Sequence, residues 1–211
     1  MKKRMMAMLM ALMLLLPHAG AVTAAQVDSF PDVPKSAYYY DAVEWALENN
    51  ITQGMGDGQF QPNSICNRAQ VVTFLWRLDG KPAVSGKNTF TDVQKGSWYA
   101  DPVLWAMKEK VTDGMGEGLF EPYGTCNRAQ IVTFLWKYAG KPKANVKAPF
   151  TDVRAGSWYA EAVAWAVEEG ITVGMSKTTF GPEQPCNRAQ VVTFLYRYAT
   201  DPEWGMGGED F

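Results

Sequence analysis

The sequence predicts a mainly α-helical protein in which three tandem copies of one unit share a core, built around a central three-helix bundle with pseudo-threefold symmetry. Three observations predict it. The first is a period of 60 residues: Phe30, Asp32 and Val33 recur as Phe90, Asp92 and Val93 and again as Phe150, Asp152 and Val153. Trp45, Trp105 and Trp165 keep the same spacing, as do Gly54, Gly114 and Gly174, then Phe60, Phe120 and Phe180, and the pentapeptide Cys-Asn-Arg-Ala-Gln that begins at Cys66, Cys126 and Cys186. The second is that each unit holds two helical stretches joined by a Gly-rich loop. The third is that the second stretch is apolar on nearly every side, as Val71 to Leu78 show, and a helix of that kind belongs in the interior. Units of this size bury little surface alone, so the three must share what they bury.

The chain begins with a segment that is not part of this pattern. Lys2, Lys3 and Arg4 precede the apolar run Met5 to Leu16, and a small-residue stretch from Ala19 to Ala25 follows. Those are the three parts of a secretory signal peptide. The run is too short for a bilayer span, which needs about 20 apolar residues. Cleavage after Ala25 is expected, with Ala21 or Ala24 as alternatives. The mature chain then carries 17 Lys+Arg against 22 Asp+Glu, which gives no electrostatic case for a nucleic-acid partner. It also carries no histidine, since His18 lies in the leader. Ser-His-Asp and Cys-His nucleophilic mechanisms and His-ligated zinc are thereby excluded.

The division that follows is a leader at 1–25, repeats at 26–80, 81–140 and 141–200, and a short acidic tail at 201–211. Within the repeats, the first helix is expected over about 39–49, 100–109 and 160–169. Val103, Ala106 and Met107 set apolar groups at i, i+3 and i+4, as do Val163, Ala166 and Val167. Pro102 fits only in a first turn, where its missing N–H has no helical partner to lose. Gly54 to Pro62 reads as the connecting loop, dense in residues that tolerate positive φ or end helices. Asn67 is the expected N-cap of the second helix, with Gln70 three residues on as its capping-box partner. The stretches 80–89 and 140–149, rich in Gly, Pro and Lys, read as linkers.

These motifs, in this order, resemble the S-layer homology module. The likeness rests on Phe-x-Asp-Val, then Trp, then Gly-x-Gly-Asp/Glu-Gly-x-Phe-x-Pro, then a variant of a Thr-Arg-Ala-Glu signature, and it covers roughly residues 30 to 199. What the resemblance implies is a secreted, noncatalytic cell-wall or S-layer anchor without a cofactor or metal. In that family three modules form a three-sided prism whose grooves hold a secondary cell-wall polysaccharide, typically through a pyruvylated amino sugar. This sequence departs from the signature at Asn67 and Gln70 and their counterparts. Both keep the capping chemistry, but Gln cannot hold a charge.

Arg68, Arg128 and Arg188 are the leading candidate ligand residues. An arginine in a first turn faces the positive end of the helix dipole, at a cost of a few tenths up to about 1 kcal/mol. With unpaired backbone N–H groups beside it, it makes an anion site suited to a carboxylate. The competing reading pairs each arginine with an aspartate of a neighbouring repeat, Asp32, Asp92 or Asp152. Tyr38, Trp98 and Trp158, just before the first helix, offer either flat faces for a sugar ring or ordinary packing. Trp45, Trp105 and Trp165 read as structural. Gly54, Gly114 and Gly174 let backbone approach a ligand, or simply make the turn.

In the third repeat, Ser176, Lys177 and Thr178 replace the Gly-Asp57-Gly and Gly-Glu117-Gly of the others, so one groove is expected to differ. The three cysteines leave three readings: a disulfide with one thiol over, a Cys₃ metal site if the three N-caps converge, and free, buried small residues. The last is the reading adopted. Protein docking or self-assembly with other envelope proteins is the competing function, and a glycan-processing enzyme a third. Against the enzyme, the recurring acids come in threes, which suits avidity better than catalysis. Anchoring modules of this kind normally carry a cargo domain, whereas this sequence reads as nearly all anchor.

Overall fold

The computed structural model describes residues 24–200, so the leader, apart from Ala24 and Ala25, and the tail at 201–211 lie outside the described residues. Six helices follow a 3-10 turn at Ala24–Ser29: α1 (Tyr40–Glu48), α2 (Arg68–Leu78), α3 (Ala100–Lys108), α4 (Arg128–Tyr138), α5 (Ala160–Glu168) and α6 (Arg188–Thr200). The first helix of each repeat thus falls within a residue of its expected bounds. Pro102 sits in the first turn of α3, as its chemistry requires. The 3-10 turn was not expected, because it precedes Phe30, where the 60-residue pattern begins. It is tied down by the Tyr40 hydroxyl donating to Asp28 at 2.8 Å and by Lys35 pairing with the same carboxylate at 3.0 Å.

Each second helix starts on a capping box. The amide of Gln70 donates to the Asn67 side chain and the amide of Asn67 to the Gln70 side chain, both at 2.9 Å. The same exchange joins Asn127 with Gln130 and Asn187 with Gln190. Two donors that a helix start leaves unmet are satisfied at each box.

Packing interlocks the repeats. Helix α2 lies on α3, α4 on α5, and α6 on α1, while α4 also touches both α2 and α6. Each second helix therefore covers the first helix of the next repeat, and the last returns to the first. Val72, Val132 and Val192 are completely buried in one continuous apolar cluster that draws on all three repeats. A repeat cut free would uncover Val72, Phe74 and Leu75 at once, each worth roughly 1.5–3 kcal/mol. The ring is closed by main chain as well: Cys66 N–H donates to Cys186 C=O at 2.9 Å, Cys126 N–H to Cys66 C=O at 3.0 Å, and Cys186 N–H to Cys126 C=O at 3.1 Å.

Candidate functional site: the arginine collar and the groove over α4

The three arginines are not the exposed first-turn charges that the helix rule anticipates. Arg68, Arg128 and Arg188 are only 2%, 0% and 3% exposed. Each reaches into the next repeat, where its Nε donates at 2.8 Å to a phenylalanine carbonyl: Arg68 to Phe120, Arg128 to Phe180 and Arg188 to Phe60. Each guanidinium also stacks on aromatic rings, with Arg68 Cζ 4.8 Å from the Phe120 centroid and 5.3 Å from that of Phe134. Burial lowers the pKa of Arg68 and Arg188, as desolvation disfavours a cation.

The expected unpaired amides are also absent from the first turns of these helices. Arg68 N–H donates to Gly124 C=O and Ala69 N–H to Pro122 C=O, both at 2.9 Å, and Arg128, Ala129, Arg188 and Ala189 do the same with the next repeat's loop. The helix starts are therefore docking points between repeats, and their amides are not an anion cradle. The reason is topological: the loop ending in Pro62, Pro122 or Pro182 lies against the preceding repeat's helix start, where its carbonyls meet the positive dipole end.

The aspartates do not make this contact with the arginines. Asp32 accepts from Phe60 N–H at 3.0 Å and Gln61 N–H at 2.6 Å, Asp92 from Phe120 and Glu121, and Asp152 from Phe180 and Gly181. They staple the loop of their own repeat, and through it they position the very carbonyl that the arginine takes. Gly54, Gly114 and Gly174 adopt φ of +79°, +82° and +86°, and a Cβ on Gly114 would lie 2.5 Å from both the Phe90 ring and Leu119 C=O. Turn geometry and packing both require glycine there.

One groove stands out, of about 550 Å3. Arg68 of the first repeat forms its floor, Thr112 to Met115 and the face of α4 with Gln130 and Thr133 its walls, and Trp136, Lys137, Lys141 and Trp158 its rim. Three repeats thus contribute to it. Two of its lining residues each hold a buried polar atom without a hydrogen-bond partner, Arg68 Nη2 and Thr133 Oγ1. Thr73 and Thr193, at the corresponding positions of α2 and α6, instead donate to the carbonyls of Ala69 and Ala189 within their own helices. Lys137 pairs with Asp113 at 2.5 Å, which lowers the Asp113 pKa. Lys141 Nζ lies 5.9 Å from the Trp136 centroid. Its backbone, at φ +59°, is held by Lys141 N–H donating to Trp136 C=O, with Trp136 Nε1 donating to Pro142 C=O, both at 2.8 Å.

Among the expected aromatic platforms, Trp158 is 58% exposed, Trp98 55% and Tyr38 44%, each set edge-on against the tyrosine that follows it. Trp105 and Trp165 are buried and Trp45 is half-buried, in keeping with a structural role. Sequence reasoning overlooked Thr133, Lys137 and Lys141 and took Gln130 for a cap alone. The signal that could have found Lys141 is the Gly-Lys-Pro of residues 140–142, which begins four residues beyond the half-buried Trp136.

The other faces follow the same period with different rims. Asp113 is replaced by Gln53 and Val173, and Lys137 by Arg77 and Arg197, which donate to the carbonyls of Ile51 and Ile171. The loop of the third repeat differs at its tip but closes alike: Gly116, Glu117 and Gly118 take positive φ, whereas Ser176, Lys177 and Thr178 do not. Met175 N–H donates to Thr179 C=O at 2.8 Å just as Met115 N–H does to Leu119 C=O. The cysteines are free and buried, and their N-cap neighbourhoods do converge through the main-chain ring. Burial pushes the Cys66 thiol up to about 12. No group of three potential ligands able to hold a metal is found among the described residues.

Interwoven helical repeats with a basic, tryptophan-rimmed groove define a class of noncovalent binding module. The S-layer homology domain matches the chain three times, at residues 29–72, 89–132 and 149–192. The chain therefore belongs to the S-layer homology family, and its place is the cell surface. It is 29% identical over 202 residues to an S-layer protein of Bacillus thuringiensis subsp. finitimus, a match covering 89% of this chain and 24% of that protein. An amylopullulanase of Thermoanaerobacterium thermosulfurigenes is 26% identical over 85% of this chain and 10% of its own length. A cellulosome-anchoring protein of Acetivibrio thermocellus is 27% identical over 69% of this chain and 34% of its own. The chain thus spans about a quarter or less of the first relatives it matches. No helix among the described residues is long and apolar enough to cross a membrane.

Proposed function

We propose that the three repeats anchor the chain noncovalently by gripping an anionic secondary cell-wall polysaccharide, with a pyruvylated sugar seated in the groove over α4. The observation that carries this reading is a pair of buried, unsatisfied polar atoms on two residues that line the groove, Arg68 Nη2 and Thr133 Oγ1. A buried donor left without a partner costs about 1–3 kcal/mol, and a ligand carboxylate offers the acceptor that Arg68 lacks. Trp158 supplies a flat face for a pyranose ring, and Lys141 a second cation at the rim. Gly114 keeps the loop close to the groove floor. By the 60-residue period, Arg188 with Trp98, and Arg128 with Tyr38, occupy the matching places on the other two faces, where the arginine Nη2 donates at 3.4 Å to Thr52 and Thr172 instead.

The module works by binding and without catalysis. Its recurring carboxylates, Asp32, Asp92 and Asp152, are engaged by loop amides and serve the fold. Relatives as different as an S-layer protein and an amylopullulanase share this stretch as a minor part of their length, which supports a module that attaches whatever it is joined to. Several weak sites on one chain gain from avidity.

Sedimentation with purified wall sacculi tests the reading. The chain lacking residues 1–25 should pellet with intact sacculi and stay in solution once the polysaccharide is chemically removed. Mild-acid cleavage of pyruvate ketals alone should release most of it. Trp158→Ala and Lys141→Ala should each weaken binding about tenfold, the scale of a charged or stacked contact, with unchanged melting. Undiminished pelleting with polysaccharide-free sacculi would overturn the proposal.

A further inference from the structure

Six of the eleven methionines lie in the leader, and of the other five, three keep the 60-residue period: Met55, Met115 and Met175. All three stand exposed on the loop between the two helices of their repeat, at 41%, 47% and 38%. The three thiols, by contrast, are buried. A dissolved oxidant therefore meets thioether sulfur before thiol sulfur, and oxidation turns this flexible apolar side chain into a polar one. Met107 is better protected, half-buried and with its sulfur accepting from the Thr89 hydroxyl at 3.1 Å.

The three exposed copies are not equivalent. Met115 lines the groove over α4 together with Trp158. The capping box turns Gln130 toward it: Gln130 Oε1 is taken by Asn127 N–H at 3.1 Å, which leaves Nε2 facing the Met115 sulfur at 3.8 Å. That contact is long, as suits a weak acceptor, and a sulfur lone pair stays available. Met175 is packed differently. A Cβ at Gly181 would collide with its sulfur, so the sulfur rests in the space this glycine leaves. Gln61 and Glu121 stand at the corresponding positions with the same positive φ, and their own Cβ atoms fill that space. Met55 and Met115 are accordingly the more exposed.

We propose that Met115 is an oxidation site through which hydrogen peroxide loosens the hold on the wall polymer, a proposal that rests on the reading of the groove over α4 as the polysaccharide site. The sulfur lone pair attacks one peroxide oxygen, the O–O bond breaks, and that oxygen stays on sulfur as a sulfoxide. The other oxygen leaves with both protons as water. Sulfur gives up two electrons and the peroxide takes them. The new oxygen is a far stronger acceptor than the thioether, so it draws the Gln130 amide and competes with a ligand carboxylate for Lys137 and Lys141. The groove loses an apolar wall and gains partial negative charge, and both changes act against an anionic sugar. Sulfoxide reductases restore the thioether, so the change is reversible.

The test treats the chain lacking residues 1–25 with limiting hydrogen peroxide, maps each methionine by peptide mass spectrometry, and measures sedimentation with wall sacculi before and after. Met115 sulfoxide should form ahead of the sulfoxides of Met175 and Met107. Affinity for sacculi should fall by roughly three- to tenfold, the scale of a lost thioether contact, with melting unchanged, and sulfoxide reductases should restore it. Met115→Leu, whatever its affinity before treatment, should lose none on treatment. Oxidation of Met175 or Met107 ahead of Met115 would overturn the site. An unchanged affinity of the oxidised chain, or an equal loss in Met115→Leu, would overturn its control of binding. If the untreated chain pellets equally with polysaccharide-free sacculi, the polysaccharide reading itself fails and the control of binding falls with it, while the peptide map still decides whether Met115 is the preferred oxidation site.

Discussion

The collar at the starts of α2, α4 and α6 and the rims of the faces above it come from the same repeats, yet they have diverged to different degrees. In the collar the three copies are alike down to single atoms: each arginine Nε meets a phenylalanine carbonyl at 2.8 Å, and each cysteine amide meets the next cysteine carbonyl. On the rims, Asp113 corresponds to Gln53 and Val173, Lys137 to Arg77 and Arg197, and Trp158 to Trp98 and Tyr38. Ring closure explains the first pattern. A cyclic set of contacts fails if any member fails, so every copy must carry the same device. A rim residue touches only its own groove, and it is free to follow whatever that groove holds.

The sharpest way to break this comparison is to remove one collar arginine. Arg128→Ala deletes a completely buried side chain, leaves Phe180 C=O without its donor and opens a void between the Phe180 and Phe194 rings. A loss of about 3–5 kcal/mol is expected, read as a large drop in melting temperature of the whole ring in one transition. Retained melting would mean that the collar does not hold the repeats together. Binding measured on such a variant reports folding first, so the role of an arginine in ligand capture is better approached from the rim.

A gentler test compares two glycines of one loop. Gly114→Ala places a methyl 2.5 Å from the Phe90 ring and Leu119 C=O at a φ of +82°, and about 2–4 kcal/mol should be lost. Gly116 has a φ of +98° but nothing within 4 Å of an added Cβ, so only the backbone term of about 1 kcal/mol remains. Ser176 occupies the corresponding position of the third repeat without a positive φ, so that loop avoids the backbone cost by taking another conformation. Equal melting temperatures for the two variants would show that packing against Phe90 is not what fixes the glycine.

What the sequence made legible, and what it hid, divides along contact range. The capping boxes at Asn67, Asn127 and Asn187 and the bounds of α1, α3 and α5 depend on residues a few positions apart, and the spacing alone was enough to place them. The burial of Arg68 depends on Phe120, 52 residues away in another repeat, and no local rule reaches that far. The helix-dipole argument correctly marked the arginines as unusual but assumed a solvent-facing helix start. The next repeat's loop covers that start and supplies the carbonyls that meet it. The same blindness hid the convergence of Cys66, Cys126 and Cys186, which only closure of the ring brings about, and the candidate groove, whose lining comes from three repeats.

The smallest expected change in stability sharpens the comparison on the rim. Asp113 and Lys137 form an ion pair in which the Asp113 side chain is 80% exposed, so solvent screens it and its worth to folding is at most about 0.5 kcal/mol. Its sign is nevertheless fixed: the Asp113 pKa is lowered from 3.8 by the hydrogen bond from Lys137, so this small contribution is present above pH 3.8 and fades as pH falls through the lowered value. Asp113→Asn should therefore leave the melting temperature at neutral pH nearly unchanged. Its effect on the groove should be larger and of opposite sense. Removing a carboxylate from the rim frees Lys137 and lessens repulsion of an incoming anion, so affinity for sacculi should rise by roughly two- to fivefold, and the gain should shrink as salt is added. The faces that carry Gln53 and Val173 at this position have no such acid to remove, so the substitution acts on one groove alone. Unchanged or weaker sedimentation of Asp113→Asn would mean that the Asp113–Lys137 pair is itself part of what holds the ligand, with the carboxylate accepting hydroxyl donors from the sugar instead of competing with its charge.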